Sequence, residues 1–262
     1  MPLRSIPLEP ADPFQEVLAE SARRRETRWG AASPADAPRR AGIVGGGLMG
    51  RSIAAAAVDA GIEVILVDSD EAVRSCAANR IAAELAAGYG HSAAKGAQLV
   101  GACLRVSLSL EALAACDLVL ESIPENLPAK KALFGSLAPQ LSPESVLATN
   151  TSTLPLRSMI ENVPNQERFC GIHFCHPVAR RPLVEIIAAE ATSRQTVMTA
   201  VGLALRLGRF PVVVGDAAGF VVNRMLSPYL AAAFELLLDG VAPERIDAVA
   251  LAHGMDKGPL EL

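Results

Sequence analysis

The pattern of apolar and polar positions becomes regular after residue 40. Ala41–Val44 is a short apolar run of the kind a buried strand needs, and glycines follow it directly. "RSIAAAAVDAG" has helix composition and ends at Gly61, a residue suited to the left-handed stop of a helix. "IEVILVD" reads as a second buried strand closing on Asp68. "SDEAVRSCAANRIAAELAAG" reads as a long helix entered through a Ser or Asp cap. "LRVSLSL" alternates like a strand. "CDLVLESIP" and "SVLATNT" are short strands on either side of the helix "NLPAKKALFGSLAPQ". "RFCGIHF" and "PLVEIIA" are strands again, "SRQTVMTAVGLALRLG" a helix and "FPVVVGD" a last strand. Strands alternating with helices predict an α/β domain over residues 41–215, built on a doubly wound, Rossmann-like parallel sheet.

Either end of the chain departs from this pattern. From residue 216 to 262, "GFVVNRMLSPYLAAAFELLLDG" is a long apolar helix and "PERIDAVALAHG" a second one, with no strand after them. A small all-helical C-terminal domain is expected there. Residues 1–40 are rich in Arg, Pro, Ala and Ser and carry the only Trp. They read as a flexible N-terminal extension, with a short helix near Pro13–Arg24 and then a linker. A docking tail for a partner is the alternative.

Composition narrows the function classes. The chain has 262 residues, 51% of them hydrophobic, and a formal charge of −4. So small a net charge argues against nucleic acid or a membrane surface as partner. The five cysteines form no CxxC pair and no metal-ligand spacing, so a reduced cytoplasmic protein without a metal centre is expected. No apolar run is long enough to span a bilayer, and the N-terminus has no apolar segment of the secretory kind.

Chemistry enters at "GIVGGGLMG", where Gly45-x-Gly47-x-x-Gly50 stands between a strand and a helix. Gly45 permits the tight turn, Gly47 lets the backbone approach a pyrophosphate, and Gly50 lets the helix pack close to the sheet. Leu48 and Met49 belong to the same cofactor-binding turn. Unpaired N–H groups and the positive dipole end of the helix favour phosphate. Asp68, 21 residues beyond Gly47, stands where a carboxylate accepts the adenosine ribose hydroxyls and repels a 2′-phosphate. NAD is therefore expected over NADP.

The second chemical stretch is "GIHFCHPVARRPLVEI". Two prolines, Pro177 and Pro182, bracket a loop between two strands. If the strands are antiparallel and centred on Ala179, His173 faces Glu185, because the two indices sum to twice 179. A carboxylate beside an imidazole fixes its tautomer and stabilises the imidazolium. Such a base suits removal of an alcohol proton while hydride leaves to a nicotinamide. A packed or surface histidine is the plainer alternative.

Taken with "VILVD", "DLVLESIPEN", "ATNTSTLPL", "PLVEII", "GDAAGFVVNR" and "HGMDKGPLEL", these motifs run in order over residues 41–262. The chain resembles the 3-hydroxyacyl-CoA dehydrogenase family. The resemblance implies that His173 is the general base in alcohol oxidation, that Glu185 orients it, and that Ser152 and Asn223 hold the substrate oxygen. It implies further that Glu125 and Lys130 line the nicotinamide-ribose side with Asn150 nearby. From the residues alone, Ser152 reads equally as a turn residue, Asn223 as a helix-start polar group, and Glu125 and Lys130 as solvated charges.

Three departures bear on the substrate. His176 stands where the family has asparagine, and an imidazole does not copy an amide's two-sided bonding. The long helix after the second strand carries Glu84, Ala86 and Ala87 where the family has serine and lysine for CoA. Arg180 and Arg181 lie in the loop beside the histidine and suit a phosphopantetheine phosphate or an acidic carrier protein. "HFCHPV" followed by "RPLVE" is similar to a branch that oxidises glyceryl groups on an acyl carrier protein in polyketide extender-unit pathways. Oxidation of a carrier-bound 3-hydroxyacyl group is thus the first expectation and 3-hydroxybutyryl-CoA oxidation the second. A non-catalytic NAD-binding protein and a sugar-acid dehydrogenase stand further off. The family continues through more helices after "GPLEL", so the C-terminal domain is expected to be incomplete relative to it, and a homodimer is expected.

Overall fold

The computed structural model describes residues 13–261. Residues 1–12 of the expected extension, and Leu262, lie outside the described residues. The described chain divides into two compact units, one ending at Asp216 and one beginning at Ala217.

In the first unit eight strands form one sheet: β1 (Arg40–Val44), β2 (Glu63–Val67), β3 (Leu104–Ser107), β4 (Leu118–Glu121), β5 (Val146–Thr149), β6 (Phe169–Phe174), β7 (Leu183–Ala188) and β8 (Phe210–Gly215). Their spatial order is β3-β2-β1-β4-β5-β6-β7-β8. Every neighbouring pair is parallel except β6 and β7, which run antiparallel. The helices are α1 (Pro13–Trp29), α2 (Leu48–Asp59), α3 (Glu71–Tyr89), α4 (Ala93–Cys103), α5 (Leu127–Leu137) and α6 (Arg194–Arg206). The second unit holds α7 (Val222–Leu238) and α8 (Pro243–Ala252).

The central strands are short apolar runs because both of their faces are covered. On one face Ile43, Leu66, Leu118, Leu120, Ala148, Ile172 and Ile186 join α2, α3 and α6 in a single core. The alanines 54–57 of α2 are at most 2% exposed, and their small side chains let that helix lie close to the sheet. Side chains alternate along a strand. Val119, Glu121, Leu147, Thr149, Phe169, His173 and Glu185 therefore fall on the opposite face. There Phe134 of α5 meets Phe169 edge-on, with ring centroids 5.1 Å apart.

Helix ends follow local chemistry. The Asp70 carboxylate accepts the Ala72 N–H at the start of α3, and Gly90, at φ 71°, ends it. Helix α4 fills a segment for which the apolar pattern predicts no element. It starts where the Ser92 hydroxyl accepts the Lys95 N–H. Helix α1 runs through Trp29, past the expected end near Arg24. The residues expected as linker form a 3-10 turn over Pro34–Asp36, whose backbone lies against Gly202 of α6. In the second unit α7 starts at Val222, because Gly219 and Phe220 both adopt positive φ just before it.

Candidate active site

The site lies where the strands end. The carboxyl ends of β1, β4, β5 and β6 carry Gly45, Glu121, Asn150 and His173 along one edge, where open α/β sheets bind ligands.

The glycine turn comes first. Gly45 sits at φ 100°, and a Cβ there would stand 2.6 Å from the Ser122 carbonyl oxygen. A Cβ on Gly50 would run into the carbonyl of Gly45, so α2 packs against the turn only with glycine at that position. Gly47 differs. It caps α2 at φ −63°, and nothing stands within 4 Å of a Cβ built on it. Its glycine answers no demand of the protein's own packing and leaves an open cradle of the sort a pyrophosphate fills. The first-turn N–H groups of α2, from Leu48 and Met49 onward, have no partner inside their own helix. Leu48 is exposed and Met49 half-buried. Asp68 closes the cradle: its Oδ2 accepts the Gly46 N–H at 2.7 Å and its Oδ1 the Asp70 N–H at 2.8 Å.

The second part is the antiparallel pair of strands. His173 of β6 stands opposite Glu185 of β7 in the ladder, the register expected from the two prolines. His173 Nδ1 lies 2.7 Å from Glu185 Oε2, and the residues are 6% and 1% exposed. A carboxylate only accepts, so Nδ1–H donates to Glu185 and Nε2 is the basic nitrogen. In the loop beyond β6, His176 and Arg180 are exposed and Arg181 is half-buried. Burial and the Glu185 charge push the Cys175 thiol up, while Arg181 pulls it the other way.

Between these parts lies a network anchored on Glu121, which the sequence reading did not single out. Glu121 is fully buried. Its Oε1 accepts Lys130 Nζ at 2.5 Å and the Ile123 N–H at 2.7 Å, and its Oε2 accepts the Thr149 hydroxyl at 2.6 Å. Lys130 also lies 3.3 Å from Glu125. Glu125 Oε1 in turn accepts the Thr151 hydroxyl at 2.5 Å and the Ser152 and Thr153 N–H groups at 3.1 and 3.3 Å. Burial raises the Glu125 carboxyl. The Thr151 hydrogen bond, the Lys130 charge and the Ser152 N–H outweigh it and hold it below the usual carboxylate range. Asn150 Oδ1 accepts the Phe174 N–H at 3.0 Å, tying this loop to the strand of His173.

Nearly all the residues expected in the site thus meet along one sheet edge. Lys130, expected to line the nicotinamide-ribose side, is 1% exposed, drawn under the surface by two carboxylates. Asn223 belongs to the second unit, in the first turn of α7. Glu121, Thr149 and Thr151 went unnoticed. The one signal for Glu121 is a charge that closes the apolar run "LVLE".

A dinucleotide cradle beside a carboxylate-held imidazole is the equipment of an alcohol dehydrogenase. Comparison with known proteins specifies which kind. Residues 40–217 match the model of the 3-hydroxyacyl-CoA dehydrogenase NAD binding domain, and residues 219–262 that of the 3-hydroxyacyl-CoA dehydrogenase C-terminal domain. The chain belongs to the 3-hydroxyacyl-CoA dehydrogenase family. FadB2 of M. tuberculosis is 32% identical, with a TM-score of 0.81 over 86% of this chain and 81% of that one. The (S)-3-hydroxybutyryl-CoA dehydrogenase PaaH1 of Ralstonia eutropha is 32% identical, with a TM-score of 0.79 over the same shares. The 3-hydroxybutyryl-CoA dehydrogenase of Escherichia coli K12 is 36% identical, with a TM-score of 0.78 over 86% of this chain and 48% of that one. Family membership makes this 3-hydroxyacyl-CoA dehydrogenase homologue an NAD-dependent oxidoreductase of 3-hydroxyacyl substrates. Among the described residues no helix is long and apolar enough to cross a membrane.

Proposed function

We propose that the protein oxidises the 3-hydroxyl group of a short 3-hydroxyacyl-CoA. The carrying observation is the buried His173–Glu185 pair at 2.7 Å, on the sheet edge that also bears the glycine cradle. NAD, when bound, supplies the hydride acceptor. His173 Nε2 takes the hydroxyl proton in oxidation and returns it in reduction. Glu185 holds the imidazole in one tautomer and stabilises its charged form. Ser152 and Asn223 hold the reacting oxygen, and Glu125 faces the nicotinamide ribose with Asn150 beside it. Gly45, Gly47, Leu48, Met49 and Gly50 take the pyrophosphate, and Asp68 takes the adenosine ribose. His176, Arg180 and Arg181 serve the thioester side. A homodimer and a reduced cytoplasmic setting belong to the same reading, supported by exposed apolar groups on α7 and by five cysteines without disulfides.

The acyl carrier is the finer question. The sequence puts a carrier protein first. The relatives above are named for 3-hydroxybutyryl-CoA where they are named for a substrate, which turns the order round. One observation keeps the carrier protein as the second reading. Glu84, where the family has a CoA-binding side chain, is committed to Arg51 at 2.7 Å and adds no cation to α3.

The test is an assay of purified protein with NAD and 3-hydroxybutyryl-CoA, in parallel with glyceryl-carrier protein, following NADH and the mass of the acyl chain. Turnover of the CoA ester is expected to exceed that of the carrier-bound group. H173Q should lower kcat by about 10²–10⁴-fold, the usual contribution of a general base, with NAD still bound. No turnover of either thioester, or full activity in H173Q, would end the proposal.

A further inference from the structure

The geometry points to Glu121 as a positioning residue, which acts through Lys130 and Glu125 on the loop that carries Ser152. This inference rests on the reading that Glu125 and Ser152 serve the cofactor and substrate.

A lysine ammonium has three donors. Lys130 donates to Glu121 Oε1 at 2.5 Å and to the Ile123 carbonyl at 3.3 Å, and forms an ion pair with Glu125 Oε2 at 3.3 Å. With the side chain 1% exposed, these partners hold the Lys130 ammonium just under the surface of the site. Through the ion pair it also steadies Glu125, whose side chain is 37% exposed. Glu125 Oε1 gathers the hydroxyls of Thr151 and Thr153 and the N–H groups of Ser152 and Thr153. That carboxylate sets the backbone of the loop on either side of the Ser152 hydroxyl.

Glu121 sits beneath this assembly and is joined to the sheet rather than to the loop. Its backbone is in register with Val44 of β1 and Thr149 of β5, and its carboxylate takes the Thr149 hydroxyl from below. Strands β1 and β5 therefore hold the Glu121 backbone between them, Thr149 holds its carboxylate, the carboxylate fixes the ammonium, and the ammonium steadies Glu125. Stability alone gives no reason for charges here. A buried ion pair is no better for folding than a well-packed apolar pair of the same volume, and is often worse. What charges add is a directional hold on a third, half-exposed carboxylate, which an apolar pair cannot exert.

Three variants of the full chain separate a positioning role from a structural one: E121Q, K130M and E121Q/K130M. Each single change leaves one buried charge short of its partner, so both should lower the unfolding midpoint. The double change removes both charges together and should restore most of it. Activity should follow a different course. A misplacement of about 1 Å costs up to about 100-fold in rate, so kcat/KM should fall about tenfold or more in both singles and stay low in the double. A double variant that recovers stability and wild-type kcat/KM together would make the pair purely structural and overturn the inference. So would a folded E121Q of wild-type activity. If neither single folds, the double still decides: reduced kcat/KM supports the inference and wild-type kcat/KM overturns it. E125A tests the underlying reading. If it retains wild-type kcat and KM for NAD, Glu125 is not at the site, and the reading and this inference fall together. If E125A is impaired while the double variant is not, only the role of Glu121 falls.

Discussion

Gly45, Gly47 and Gly50 share one motif but answer to different constraints, and substitution separates them. Gly50 faces the Gly45 carbonyl, a backbone group that cannot swing aside. G50A should therefore cost about 1–3 kcal/mol of stability by overpacking. Gly47 meets nothing within 4 Å and holds an ordinary negative φ. G47A should change stability by less than about 1 kcal/mol, the scale of a helix-cap substitution. Its Cβ would instead occupy the cradle, and NAD affinity should fall at least about tenfold, which is about 1.4 kcal/mol. Denaturant unfolding and NAD titration of the two variants read this out. Equal loss of stability in both would mean that Gly47 too is held by packing. The motif's spacing was enough to locate these glycines in the sequence, because a turn between a strand and a helix is a local event. His173 and Glu185 were legible for a related reason: two prolines fix the loop and thereby the register. Glu121 and the burial of Lys130 were not. A charge in a sequence does not say which distant charge will meet it, and the partners of Glu121 come from a helix and a strand that follow later in the chain.

Among elements, the loop after β5 depends on chemistry outside itself. Thr151–Leu154 has no ladder partners, and its N–H groups turn to the Thr149 hydroxyl, to Glu125 and to the Thr151 hydroxyl. The sequence reads "SVLATNT" as strand through Thr151, whereas β5 ends at Thr149, and it cannot show that the loop beyond is anchored by a carboxylate 26 residues before Thr151. Helix α4 was missed on other grounds: two glycines, Gly96 and Gly101, and a short apolar stretch hide its periodicity, and Ser92 was its one boundary signal. The anchoring of the loop has a pH signature. The Glu125 carboxyl titrates below its ordinary 4.5 in the folded protein, because the Thr151 bond, the Lys130 charge and the Ser152 N–H outweigh burial. A lowered folded value means that the unfolded chain binds the proton more readily. The stability Glu125 contributes is then fully present above about pH 4.5 and is lost as pH falls through the lower folded value. The unfolding free energies of the native protein and E125Q should differ most at neutral pH and converge in acid. Urea titrations at fixed pH steps between neutral and acid check this, and a constant gap across the range would disprove it.

On the scale of the whole molecule, α7 presents apolar side chains to solvent. Over 17 residues that helix buries one side chain, Ala233, while Met225, Phe234, Leu236, Leu237 and Leu238 are between 37% and 86% exposed. Apolar side chains scattered singly over a surface need no explanation, but Phe234, Leu237 and Leu238 are neighbours at helical spacing. Covering three such side chains with a second copy of the chain removes apolar surface worth about 25 cal/mol per Å². The net charge of −4 is small enough that two copies repel weakly at physiological salt. The protein should therefore self-associate in a concentration-dependent way, with α7 in the contact. Sedimentation velocity over a range of concentrations should give a rising mean mass, and F234E or L238E should return it towards the monomer. Neither position lies in the unit that carries the glycine cradle, so NAD titration of both variants should match the native protein. A native chain that remains monomeric at the highest concentration reached would mean that this surface is covered by something other than its own copy.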